Sequence, residues 1–281
     1  MTLLEPRPHL TVRDQEVVIR LWNELTEFPA SSQPEALKHC LRTLVNRIGA
    51  RNVTWVGATR ERDWESQAPS DALFGWRPRT CVPLHATEAT RRAHAVVMAG
   101  VQANRFDPQT IAIVSQFGRN RSCLRRELVS KRKWERSWMY REVLAPLHIG
   151  DRLICAFAAS PVAESYLVFD RKRGERRFGV RERDLLAFFL HGGAQFHRQL
   201  LQSYGLLSAA QPLTRRECDV LRLLLTGASE REIARTLGLT ASCTHQYAVA
   251  VIGKFGADSR AELMAQWLRR LVLSFPPTPT D

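Results

Sequence analysis

The chain has 281 residues, 44% hydrophobic and 25% charged, enough for one large or two modest domains with buried cores. A formal charge of +13 points to a polyanionic partner, nucleic acid or an anionic membrane surface; all of its 41 basic residues but Lys38, Lys131, Lys133, Lys172 and Lys254 are arginine. Six scattered cysteines with no CxxC pair exclude a disulfide framework and a zinc ribbon. No apolar run nears the roughly 20 residues that span a bilayer, and the N-terminus has charge and proline where a signal peptide needs an apolar core, so a soluble, cytoplasmic protein with no membrane partner is expected.

In chain order, Val17, Val18, Leu21, Trp22, Leu25 and Phe28 follow helical spacing. A second helix is predicted from Pro34 through Leu37, Cys40, Leu41, Leu44, Val45 and Ile48, closed by Gly49. NVTWVGAT (52–59) has the β-branched and aromatic content of a strand. The middle is less regular. Its basic stretch GRNRSCLRRELVSKRKWERS (118–137) reads as a solvated helical face ahead of contact with flanking DNA or an acidic partner. DRLICAFAA and ESYLVFDR, joined by SPV, read as a β-hairpin, with DRKRGERRFGVRER (170–183) decorating its end. FGVRERDLLAFFLHGGAQFHRQLL (178–201) reads as one closing helix, weakened by about 2 kcal/mol by its Gly192–Gly193 pair.

This order predicts an α+β fold, an antiparallel sheet flanked by helices. Over residues 15–205 it resembles GAF- or PAS-like sensory domains. The aromatic residues of WERSWMY (134–140), with Trp55, Trp64 and Trp76, read as core packing before a ligand pocket. His85, His94, His191 and His197 show no metal-ligand spacing, and neither a metal nor a cofactor is expected. GxxxxGK[ST], GxGxxG, GxSxG and HExxH are all absent, so the chain is read as a non-enzyme.

Beyond a short linker (206–212) the texture turns wholly helical. Thr214 with Glu217, Ser229 with Glu232 and Ser259 with Glu262 are capping boxes: the hydroxyl accepts from the helix backbone and the glutamate reaches back to the cap's own amide. Thr240 opens a further helix without a glutamate partner. Behind these caps run the stripes Val220, Leu221, Leu224, Leu225; Ile233, Ala234, Leu237; Thr244, Tyr247, Ala248, Val251, Phe255; and Leu263, Met264, Trp267, Leu268. Gly227, Gly238 and Gly256 close the first three helices. Gly238-Leu239-Thr240 is the tight connection of a helix-turn-helix.

The register of Leu213, Thr214, Arg216, Glu217, Val220 and Leu221, then Gly227, Ser229, Glu232, Ile233, Ala234 and Leu237, then Lys254, Phe255, Gly256, Ser259, Arg260, Ala261, Glu262 and Leu263 resembles the LuxR-type DNA-binding domain of bacterial transcription regulators. The resemblance implies that the helix opening at Thr240 enters the major groove of double-stranded DNA. Carried over by position, Ser242, His245, Gln246 and Val249 face the bases, and Lys254 and Arg260 the phosphates. Several family positions differ: Cys243 stands for a threonine, Thr244 for a valine, His245 for a basic residue, Tyr247 for a histidine and Ala250 for an asparagine. The usual aromatic–aspartate cluster of autoinducer-binding relatives has no counterpart that can be placed here.

The expected organisation is a sensory module (1–205), the linker, the DNA-binding domain (213–272) and a tail (273–281). The expected partners are double-stranded DNA, a second copy of the chain, a small-molecule or protein effector, and RNA polymerase. From residue 208 onward nine cations face seven anions, so most of the positive charge lies upstream and a single copy should bind weakly. The thinned cations of 241–253 keep open a rival reading, a regulator or adaptor that uses the helical domain for dimerisation or partner docking.

Overall fold

The computed structural model describes residues 9–61, 64–67, 70–207 and 209–272. The chain divides into two compact units, Met1–Leu25 with Leu37–Ala194, and Thr26–Ala36 with Gln195–Asp281.

In the first unit, α1 (Val12–Glu27) and α2 (Gln33–Ile48) form as their apolar spacing predicts, with Phe28 just beyond α1. A five-stranded antiparallel sheet follows, in the order β2-β1-β5-β4-β3. Its strands are β1 (Asn52–Arg60), β2 (Trp76–Pro83), β3 (Arg121–Leu124), β4 (Ile149–Ser160) and β5 (Ala163–Lys172). The predicted hairpin is β4–β5, turning at Pro161–Val162 with Ser160 opposite Ala163. Among them lie α3 (Trp64–Gln67), α4 (Glu88–Gln102), α5 (Pro108–Val114), α6 (Arg125–Leu128), α7 (Lys131–Arg136) and a π-helical turn (Met139–Leu144).

Strand alternation divides the core between the two faces of the sheet. Val53, Trp55, Leu153, Cys155, Leu167 and Phe169 are fully buried on one face, where the Trp55 indole donates to Ser165 Oγ at 2.8 Å. On the other, Ala58, Ile154, Ala156 and Tyr166 pack with Leu73, Trp76, Ile113 and Val114. Trp55, Trp76 and Trp134 are all core residues, at most 2% exposed.

The single helix expected over 178–201 is two. α8 (Val180–Gly192) ends at Gly193 and α9 (Ala194–Ser203) starts anew. Packing accounts for Gly192: a Cβ there would lie 2.6 Å from the Trp22 ring. Three helices of this unit are tied at one carboxylate. Asp14 of α1, fully buried, takes Arg47 of α2 at 2.7 Å and Arg181 of α8 at 2.5 Å.

The basic stretch 118–137 is only partly the solvated face expected of it. Arg121 is buried against Glu164 at 2.8 Å and the Tyr166 hydroxyl at 2.9 Å, and Arg125 is buried 3.6 Å from Asp151. Of the second cluster, Arg171 is likewise buried and donates to the carbonyls of Ile48 and Gly49, while residues 172–177 are exposed.

The second unit holds α10 (Arg215–Leu225), α11 (Glu230–Leu237), α12 (Ala241–Lys254) and α13 (Arg260–Val272) around Val220, Leu221, Leu224, Ile233, Ala248, Val251, Phe255, Leu263 and Trp267. None of these helices is long enough to persist alone, so this shared core is what stabilises them. The boxes Thr214–Glu217 and Ser229–Glu232 form in full, and Thr240 caps α12 by accepting from the Cys243 amide at 3.2 Å. At the last expected box, Ser259 accepts from the Glu262 amide, and the Glu262 carboxylate accepts from the Asp258 amide. Gly238 takes the left-handed conformation, φ 64° and ψ 39°, that the turn needs.

Two segments outside these helices join the same core. Ala30, in a 3-10 turn at Ala30–Ser32, packs against it, and that turn contacts α10. The stretch before α10 is pinned by Leu213 N–H donating to the Tyr204 carbonyl at 3.1 Å and Ala210 N–H to the Lys254 carbonyl at 2.7 Å. The side chain of Leu268 and the tail 273–281 lie outside the described residues. No described helix is long and apolar enough to cross a membrane.

Candidate nucleic-acid interface

α12 buries Thr244, Ala248 and Val251 in the core and turns Ser242, His245, Gln246, Val249 and Gly253 outward. These exposed positions fall three or four apart, so they form one stripe along the helix. Val249 is 55% exposed, a large apolar group left in solvent. Thr244, where relatives carry valine, is fully buried and satisfies its hydroxyl on the Thr240 carbonyl at 3.0 Å. Tyr247 and Ala250 are half-buried at the edge of the stripe.

The N-terminal turn of α12 has no acidic residue. Thr240 occupies the Cys243 amide, and the amides of Ala241 and Ser242 have no acceptor among the described residues. Unpaired amides and the positive end of the helix dipole favour an anion here. One carboxylate stands close by: Glu230, at the start of α11, has both oxygens 3.3 Å from His245 Nδ1. His245 is the one imidazole on the stripe, and it stands beside an anion.

The two residues expected at phosphates are engaged within the domain. Lys254 Nζ lies 2.7 Å from Glu217 Oε2 and donates to the Pro212 carbonyl at 3.2 Å. Burial pushes the Glu217 carboxyl up, but the bonds from Lys254 and Thr214 outweigh it and hold it below its ordinary value. Arg260 donates to the carbonyls of Leu224 and Ala228 at 2.6 and 2.7 Å, capping the C-terminal end of α10. Of the seven expected contacts, the structure therefore brings Thr240, Ser242, His245, Gln246 and Val249 to one exposed surface and gives Lys254 and Arg260 structural partners.

Other cations are available outside the seven expected contacts. Arg215, Arg216 and Arg231 are exposed and form no ion pair among the described residues; Arg235 is exposed and acts electrostatically on Glu232. The signal for them was present: each stands at a helical position outside the apolar stripe of its own helix.

Residues 211–266 match the family model described as bacterial regulatory proteins, luxR family, and this segment is a LuxR-family helix-turn-helix domain. No curated protein matches the chain. Among solved structures, SdiA in complex with octanoyl-rac-glycerol is 11% identical, with 91% of this chain and 94% of that one covered, at a TM-score of 0.47. Escherichia coli SdiA is 11% identical over 94% and 98% at 0.44. The VqsR LBD domain from Pseudomonas aeruginosa is 13% identical over 68% and 98% at 0.46.

Proposed function

We propose that this chain is a DNA-binding transcription regulator whose α12 reads the major groove under control of the N-terminal module. The observation that carries the reading is the exposed stripe Ser242–His245–Gln246–Val249, which bears no acidic side chain of its own, on a helix-turn-helix domain of a regulator family. Gln246 suits an adenine edge and Val249 a thymine methyl, and Ser242 hydrogen-bonds either a base or a phosphate. Thr240 sets the helix start so that its free amides meet a phosphate. We assign the lateral phosphate contacts to Arg215, Arg216, Arg231 and Arg235, since Lys254 and Arg260 are held within the domain.

In this reading residues 1–205 are the sensory module and 213–272 the DNA-binding domain, with 206–212 between them and a tail at 273–281. A homodimer doubles the contacts of a domain with little net charge of its own. The effector of the module is a small molecule or a protein, and RNA polymerase is the target of the output.

A second reading is favoured by one specific observation: the stripe has no cation free of a carboxylate, and it exposes Val249. In that reading α12 docks a protein partner, and the chain is an adaptor. Changing His245 and Gln246 together to alanine separates the two. Under the regulator reading, affinity for a selected genomic duplex falls about 10- to 100-fold with the melting temperature unchanged. Loss of regulation in cells without any change in duplex binding would favour the adaptor.

A further inference from the structure

We propose that an open cleft beside α7, on the N-terminal unit, is a second docking site for the phosphodiester backbone of duplex DNA, independent of α12. The proposal rests on the DNA-binding reading above and adds a second point of contact. The cleft, about 360 Å³, is lined by Pro108, Ser130, Arg132, Lys133, Arg136 and Ser137. Three cations and no carboxylate face it. All three are exposed and form no ion pair among the described residues. The one carboxylate on α7, Glu135, lies 3.8 Å from Lys131.

The cations project from a well-anchored helix. Trp134, between Lys133 and Glu135, is 2% exposed; its ring centroid is 4.5 Å from that of Tyr140, and the Arg125 guanidinium lies 5.1 Å from it. Ser130 caps the first turn through the Lys133 amide, while Ser137 donates to the Trp134 carbonyl at 2.7 Å and accepts from the Tyr140 amide at 3.2 Å. Arg173, itself exposed, donates to the Tyr140 hydroxyl and also feels the Glu135 carboxylate.

Chemistry selects the occupant. A protein partner is held by apolar or aromatic anchors sunk into a pocket, and a membrane surface by inserted apolar side chains. The one large apolar side chain of α7, Trp134, faces inward instead. A phosphodiester backbone needs only cations and a hydroxyl on an open surface, and three exposed cations beside the exposed Ser130 hydroxyl are what this cleft presents. It is also where part of the upstream charge surplus lies unneutralised.

The test uses the full chain and a random-sequence duplex, with affinity followed by fluorescence anisotropy as salt is varied. The variant Arg132→Gln/Lys133→Gln/Arg136→Gln should flatten the slope of log K against log salt by about 2.7, roughly 0.9 for each lost phosphate contact, and weaken binding about tenfold or more at low salt. Arg132→Lys/Arg136→Lys should retain the slope. The control Lys38→Gln/Arg91→Gln/Arg92→Gln removes as much charge elsewhere and should change the slope by less than about 1. An unchanged slope in the cleft variant, or an equal loss in the control, overturns the proposal. If the wild-type chain binds no duplex even at low salt, the DNA-binding reading and the proposal fall together. If it binds and only His245→Ala/Gln246→Ala weakens it, the proposal alone falls.

Discussion

Replacing Lys254 with methionine separates the role its position implies from the role its contacts imply. The methionine keeps most of the stem volume and removes the ammonium. Glu217, 6% exposed, then loses its cation at 2.7 Å, and the Pro212 carbonyl loses its donor at 3.2 Å. Breaking a fully buried pair costs about 3–5 kcal/mol. Here Glu217 still accepts from the Thr214 amide at 2.6 Å, and the lysine side chain is 21% exposed, so we expect about 1–2 kcal/mol. In a domain of this size that lowers the melting temperature by about 4–8 °C for each kcal/mol, readable by calorimetry on the intact chain. The salt slope of duplex binding should stay within about 0.3 of wild type. In Glu217→Gln the lysine loses its anion, so the double variant should cost less than the two single costs added together. The reasoning is refuted if Lys254→Met melts like wild type while its salt slope flattens by about 0.9, which is the signature of one lost phosphate contact.

Further expectations test the same structure at other points. Glu230→Gln removes the one carboxylate beside the α12 stripe and should raise affinity for any duplex roughly two- to fivefold; unchanged or weaker binding would show that Glu230 is turned away from the DNA. Gly238→Ala meets no atom within 4 Å but must adopt φ 64°, so it should cost about 1–2 kcal/mol of stability, with Gly238→Asn milder in the same melts. Asp14 is pushed up by burial and pulled down further by Arg181 and Thr11, to about 2 from 3.8. Its depressed folded value contributes about 2 kcal/mol that is fully present above about pH 4 and lost as pH falls toward 2. Asp14→Asn should therefore flatten the acid limb of stability in urea melts across that window. Ala30→Asp places a charge against the helix-turn-helix core and should lower stability by about 1 kcal/mol without touching α12.

Capping boxes, the Gly238 turn and the β4–β5 hairpin were legible because each is a local signal, written within four or so residues of where it acts. β2 and β3 were not. β3 has only four residues, and β2 contains Pro78 and Pro83 and pairs with β1 across an irregularity at Gly57/Ala58, so neither shows clean alternation. α4 was hidden by its cap, Thr87 with Thr90, which closes a box without an acidic partner. Buried arginines were invisible for a different reason. Nothing near Arg121 announces Glu164, 43 residues on, and a run of cations reads as solvated unless its distant anions are known. The break at Gly193 was half legible: the glycine pair marks a weak point, but the Trp22 ring that requires Gly192 is 170 positions away in the chain. At the candidate interface, family position located the exposed stripe. It could not show that Lys254 and Arg260 spend their donors on Glu217 and on the carbonyls of Leu224 and Ala228.

That distribution of charge shapes how such a protein would bind. Phosphate neutralisation supplies most of the affinity of a nucleic-acid complex, and base contacts most of the discrimination. The α12 stripe is built for discrimination: an amide, a hydroxyl, a valine and an imidazole, with no permanent cation. Affinity then has to come from elsewhere on the molecule. Arginines on the flanking helices and free cations on the N-terminal unit can supply it, and a second copy of the chain would double both. A reader so divided would have a distinctive salt response. Raising salt should erode its hold on every duplex while leaving the ratio between right and wrong sequences nearly constant, because the groups that screen are not the groups that read. Measuring that ratio at two salt concentrations decides it: a ratio that collapses with salt would put the discriminating contacts on charged groups and so away from the exposed face of α12.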